Sequence, residues 1–143
     1  MQHVIGLKCT ICGKTYGVDE IDYICPEHGD DGIVDVLYDY DAIRANISRE
    51  ALAHNHNRTI WRYKPLMPVA PDSAPPPLRV GWTPLYAAPR LADKLGLCHL
   101  WVKDDGVNPT ASFKDRASAV AVVKAREAGA EIITTASTGN AAA

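Results

Sequence analysis

Two short knuckles constrain this chain more than any other feature: Cys9-Thr10-Ile11-Cys12-Gly13 and Cys25-Pro26-Glu27-His28-Gly29. Twelve residues lie between Cys12 and Cys25. Each pairs two ligand-type residues as C-x-x-C or C-x-x-H, and glycine follows to allow a tight turn. Such turns aim two side chains at one ion. Cys9, Cys12, Cys25 and His28 together form a soft or borderline donor set that suits tetrahedral zinc. With four protein ligands, no open coordination position and no general base nearby, the site is expected to be structural. Tyr16, Val18, Ile21, Tyr23 and Ile24 supply short strand material between the knuckles. Residues 1–40 are thus expected to form a zinc-ribbon-like β element. Three clustered cysteines read this way also imply a reducing compartment rather than a disulfide framework.

Charge argues against a nucleic-acid partner for that element. Lys8 and Lys14 are its only basic residues, against eight acidic ones from Asp19 to Asp39. A phosphate-backbone binder needs the opposite sign. The whole chain carries a net charge of −2 and has no apolar run of membrane-span length. Its start lacks the pattern of a secretory signal, so the cytoplasm is the expected location.

Residues 41–80 read as short helices and an arm. Asp41 and Ser48 are candidate helix caps. His54 and His56 read as solvated, and Trp61 and Tyr63 as packing anchors. Six of the ten prolines fall between Pro65 and Pro77. That density excludes helix or central strand and predicts an extended arm.

From Gly81 the pattern becomes α/β. Pro89–Leu95 reads as a helix closed by Gly96. Leu97–Lys103 reads as a strand, with Cys98, Leu100 and Val102 on its buried side. Ser112–Ala128 reads as a helix closed by Gly129. Its packing face is expected to be Ala117, Val120, Ala121, Ala125 and Ala128. Glu131–Thr135 reads as the next strand, followed by Ser137-Thr138-Gly139-Asn140 and a new helix. Alternating strands and helices predict a parallel sheet whose loops converge at the strands' carboxyl ends. The lysine loop and the Ser-Thr-Gly-Asn loop would then share one crevice.

The lysine loop is Asn108-Pro109-Thr110-Ala111-Ser112-Phe113-Lys114-Asp115-Arg116. Ser112 and Asp115 have capping-box spacing. Lys114 falls in the first turn, where the positive helix end disfavours a cation and promotes a neutral amine. Neutral lysine amines form Schiff bases with carbonyls. The loop at 137–140 presents hydroxyls and backbone N–H groups suited to an anion.

These two loops, with Gly81-Trp82-Thr83-Pro84-Leu85 and Leu100-Trp101-Val102-Lys103-Asp104-Asp105, resemble the fold-type-II pyridoxal-phosphate enzymes. Within that group they most resemble the threonine synthase family. The resemblance implies an α/β fold with a parallel sheet and helices on both faces, here its N-terminal part, following the zinc-ribbon-like element. It implies domains at 1–40, 41–80 and 81–143. It implies pyridoxal 5'-phosphate bound by Lys114, Phe113 and Asn140, with Lys114 as Schiff-base and acid–base residue. Ser137, Thr138 and Gly139 would hold the carboxylate of a small amino-acid substrate. The implied reaction converts O-phospho-L-homoserine and water to L-threonine and phosphate, in a homodimer. Threonine/serine dehydratase, diaminopropionate ammonia-lyase and cysteate synthase would use the same kind of site, and a zinc-ribbon binding module is the alternative of another class. Ala141-Ala142-Ala143 cuts short a helix start, and the chain is expected to be a piece of a longer enzyme.

Overall fold

The computed structural model describes residues 3–142. They form two compact units. The first comprises residues 1–55 and 63–72, the second residues 56–62 and 73–143.

In the first unit, β1 (Val4–Cys9) is the centre of a three-stranded antiparallel sheet. β2 (Thr15–Tyr16) pairs on one side, with Leu7 opposite Tyr16. β3 (Val34–Tyr38) pairs on the other, with Cys9 opposite Val34. A single bridge joins Ile24 to Ile33. The alternation in β1 sends Leu7 and Cys9 inward and Lys8 outward. Leu7, Cys9, Tyr16 and Cys25 make a small core, with Ile21, Val34 and Val36 packed against it. Burying one such aliphatic side chain contributes only about 2 kcal/mol. A core this small needs a further source of stability.

Two short helices follow. α1 (Tyr40–Asn46) is capped by Asp39, whose carboxylate accepts from the Ala42 N–H at 2.9 Å. The expected cap, Asp41, lies inside the first turn and pairs with Arg44 at 2.7 Å. Asp39 wins because its backbone is non-helical, at φ −77° and ψ 89°, which lets its carboxylate reach forward to the first turn. Ser48 does cap α2 (Arg49–His54), accepting from Ala51 N at 3.0 Å. Pro65 is not in an extended arm: it closes a 3-10 stretch, Ile60–Leu66, of which residues 63–66 belong to this unit. A proline that late in a short tight helix forfeits little, because few following N–H groups depend on it.

In the second unit, β4 (Leu85–Ala87) and β5 (Trp101–Lys103) form an antiparallel pair with Leu85 opposite Lys103. Between them runs α3 (Pro89–Leu95), with proline at its start and Gly96 left-handed at φ 64° as its terminator. α4 (Asp115–Glu127) follows the lysine loop. Ile60, Trp61, Val80, Ala92, Ala119 and Val123 are the buried hydrophobics of this unit. The Trp61 reading holds, whereas Tyr63, in the first unit, is 42% exposed.

Several expectations change here. Among the described residues every strand pair is antiparallel. Residues 131–135 are not a strand, and Ile132 is 81% exposed. A parallel strand needs a partner's ladder, and β5 is hydrogen-bonded only to β4. Among the described residues no helix follows residue 137: Ala142 N–H reaches Gly139 O at 3.1 Å and makes a turn. The expected strand Leu97–Lys103 shrinks to three residues, and Cys98 is exposed. Without a layer packed over β5, its alternation has nothing to bury against. α4 turns Asp115, Ala119 and Val123 inward, while Ala117, Ala121 and Ala128 are exposed. The residues i, i+4 and i+8 follow one helix stripe, set by the buried Asp115 rather than by the alanines.

Candidate functional site

The cysteine–histidine cluster forms as its spacing predicts. The two knuckles share one turn: Gly13 N–H donates to Cys9 O at 3.0 Å, and Gly29 N–H to Cys25 O at 3.1 Å. The ligand atoms of Cys9, Cys12, Cys25 and His28 all lie within 4.8 Å of one another. His28 Nδ1 is 3.5 Å from Cys25 Sγ and 3.8 Å from Cys9 Sγ. Tetrahedral zinc with ordinary bond lengths would set a sulfur and a nitrogen about 3.6 Å apart. The donor set and its spacing therefore fit the ion. Cys9 and Cys25 are buried, and Cys12 faces solvent. Hydrogen bonding to His28, then to the Tyr16 hydroxyl, lowers the Cys25 thiol to about 6. That favours the thiolate, the form that binds metal. Tyr16 was expected only as strand material. Its hydroxyl lies 3.0 Å from Cys25 Sγ, an arrangement that holds the sulfur in place.

The lysine loop is built differently from the capping box expected. α4 begins at Asp115, not Ser112. Ser112 Oγ accepts from the Lys114 N–H at 3.1 Å. The Asp115 carboxylate does not return to Ser112. It accepts from Thr110 N–H at 2.9 Å and from Thr110 Oγ1 at 2.5 Å. The hydroxyl and amide of Thr110 together outcompete one cap N–H for the same oxygens. Lys114 and Phe113 are exposed, and Lys114 Nζ lies 6.0 Å from the Phe113 ring centroid. Among the described residues no carboxylate pairs with Lys114. Its amine is thus available to a carbonyl, as a cofactor lysine requires.

Around this loop lies a polar cluster. Asp105 receives Arg116 Nε at 3.0 Å and Arg116 Nη2 at 2.8 Å. Thr83 Oγ1 donates to Asp105 Oδ1 at 2.6 Å and accepts from Arg116 Nη2 at 3.2 Å. Arg116, then Thr83, hold the Asp105 carboxyl at about 2, well below its usual value. Asn108 Oδ1 accepts from the buried Gly81 N–H at 2.9 Å. Lys103 Nζ donates to Thr83 O at 2.6 Å. Two non-glycine residues here have left-handed backbones, Trp82 at φ 53° and Ala111 at φ 56°. Such strain persists only where surrounding contacts over-determine it, and it concentrates at functional sites. Thr83 and Asp105 stood in recognisable segments but carried no expected role. Their signal was an acidic residue eleven positions before a helix-start arginine.

Ser137, Thr138, Gly139 and Asn140 are exposed on a turn beyond α4. Ser137 Oγ accepts from Gly139 N–H at 3.1 Å. Among the described residues no hydrogen bond joins this turn to the lysine loop. α4 separates them, and a thirteen-residue helix is about 20 Å long. The strand that would carry the turn back beside Lys114 is the one that does not form.

The family described as pyridoxal-phosphate dependent enzyme matches residues 77–143, the segment that carries all of these loops. That match spans just under half of the chain. The chain is also similar to threonine synthases. It is 45% identical over 136 residues to threonine synthase of Methanocaldococcus jannaschii, covering 95% of this chain and 33% of that protein. It is 42% identical over 137 residues to threonine synthase of Methanosarcina acetivorans, covering 96% and 32%. Threonine synthase of Synechocystis is 46% identical over 89 residues, covering 58% and 23%. The chain spans about a third of the length of the first two relatives. No solved structure matches it.

Proposed function

We propose that the protein carrying this sequence is a threonine synthase, converting O-phospho-L-homoserine and water to L-threonine and phosphate. The observation that carries the reading is the accessible Lys114 amine, at the head of a helix, in a segment similar to threonine synthases along nearly the whole chain. When bound, pyridoxal phosphate supplies an electron sink for charge at the substrate's α-carbon. Lys114 Nζ holds the cofactor and takes and returns protons beside the α-carbon. The hydroxyls and backbone N–H groups of Ser137, Thr138 and Gly139 hold the substrate carboxylate. Asn140 would hydrogen-bond the cofactor ring oxygen, and Phe113 would help to hold the cofactor. Phosphate leaves from the γ-carbon and water adds at the β-carbon. In the whole protein, these loops sit on a parallel sheet with helices on both faces.

Cys9, Cys12, Cys25 and His28 hold a structural zinc ion in this proposal. The domain bounds 1–40, 41–80 and 81–143, a homodimer in the cytoplasm, and the absence of nucleic-acid or membrane partners belong to the same reading. The acidic balance of residues 1–40 supports the absence of nucleic acid.

Borohydride reduction of the cofactor-loaded protein, then peptide mapping, tests it. The pyridoxyl label is expected on Lys114, and Lys114→Ala is expected to abolish both the label and phosphate release from O-phosphohomoserine. A label on another lysine overturns the site. Formation of 2-oxoacid from threonine as the dominant activity overturns the reaction.

A further inference from the structure

We infer that Asp105 and Arg116 are positioning residues that set the direction of Lys114; this rests on the reading of Lys114 as the cofactor lysine. Lys114 already has helical backbone angles, φ −63° and ψ −23°. Residues two apart on a helix point about 200° from each other. Whatever anchors Arg116 inward therefore turns Lys114 outward. The anchor is a two-pronged ion pair, with Arg116 Nε and Nη2 at 3.0 and 2.8 Å from the two Asp105 oxygens. Such fork-to-fork pairs fix orientation as well as distance. Thr83 closes the triangle, bonding both partners.

Three further observations point the same way. A cation in the first turn of a helix opposes the helix dipole, so Arg116 does nothing for α4 by itself. Its place is explained by Asp105. Gly81 leaves room for the guanidinium, since a Cβ there would lie 3.1 Å from Arg116 Nη1. Asp115, between Lys114 and Arg116, is tied back to Thr110. The two residues after Lys114 are thus both held to segments before it, and the helix start cannot rotate about its axis.

The test uses Asp105→Asn and Asp105→Glu in the whole cofactor-loaded protein. Misplacing a catalytic amine by about 1 Å lowers turnover about a hundredfold, so Asp105→Asn is expected to lose about 30- to 100-fold in kcat with KM changed by less than about threefold. Asp105→Glu is expected to recover most of that loss. A readout independent of turnover is reductive labelling with pyridoxal phosphate: wild type directs the label to Lys114, and Asp105→Asn spreads it to other lysines. Label absent from Lys114 in the wild type overturns the cofactor-lysine reading itself. Label on Lys114 in both proteins, with kcat within about twofold, overturns only the positioning role. Should Asp105→Asn not fold, Arg116→Lys keeps the charge but loses the fork. An unchanged kcat in that variant overturns the inference, and a loss of about tenfold at constant KM supports it.

Discussion

Replacing Gly81 by alanine is expected to destabilise the second unit through two separable effects. Gly81 has φ +84°, where an L side chain is strained by about 1 kcal/mol. Its Cβ would also lie 2.5 Å from Ile60 Cγ2 and 3.1 Å from Ile60 N. Ile60 is buried and its N–H is bonded to Val80 O at 2.9 Å, so neither atom can yield freely. Overpacking of this kind costs about 1–3 kcal/mol. The sum is about 2–4 kcal/mol. Gly96→Ala is the internal control. Gly96 is also left-handed, at φ +64°, but nothing lies within 4 Å of its would-be Cβ. That variant should lose the strain of about 1 kcal/mol alone. Urea unfolding of both variants in the whole protein measures the difference. At a slope of about 2 kcal/mol per molar, Gly81→Ala should shift the midpoint at least about 0.5 M further than Gly96→Ala. Equal shifts would refute the overlap argument, and with it the close approach of residues 60 and 81.

Other expectations test other parts of the molecule. Tyr16→Phe removes the hydroxyl 3.0 Å from Cys25 Sγ and should weaken zinc binding about tenfold in a chelator competition, while Cys25→Ser should leave metal analysis with no stoichiometric zinc. Asp105 titrates at about 2 when folded against an ordinary 3.8. Its stabilising contribution is therefore full above about pH 4 and is lost as pH falls toward 2, so wild type should lose stability more steeply over that window than Asp105→Asn. Ala111→Gly should stabilise the protein by about 1 kcal/mol, because it relieves a left-handed alanine at φ 56°; a loss of thermal stability would count against that strain.

Local chemistry alone determined a good deal of this protein. The cysteine–histidine knuckles formed as their spacing required, because a tight turn of four or five residues brings its own ligands together. Pro89 and Gly96 bounded α3, and Ser48 capped α2, since each acts on its immediate neighbours. The lysine segment carried the resemblance to the family that residues 77–143 match. Asp39 rather than Asp41 caps α1 and Thr110 rather than Ser112 holds Asp115, local choices between residues three and five apart that several nearby candidates left open. Tertiary structure decided the rest. The strand expected at 131–135 requires a partner ladder that no property of its own residues can provide. The Asp105–Arg116–Thr83 cluster joins residues up to 33 positions apart. Such a contact depends on how loops are brought together in space, and residue order along the chain does not specify that.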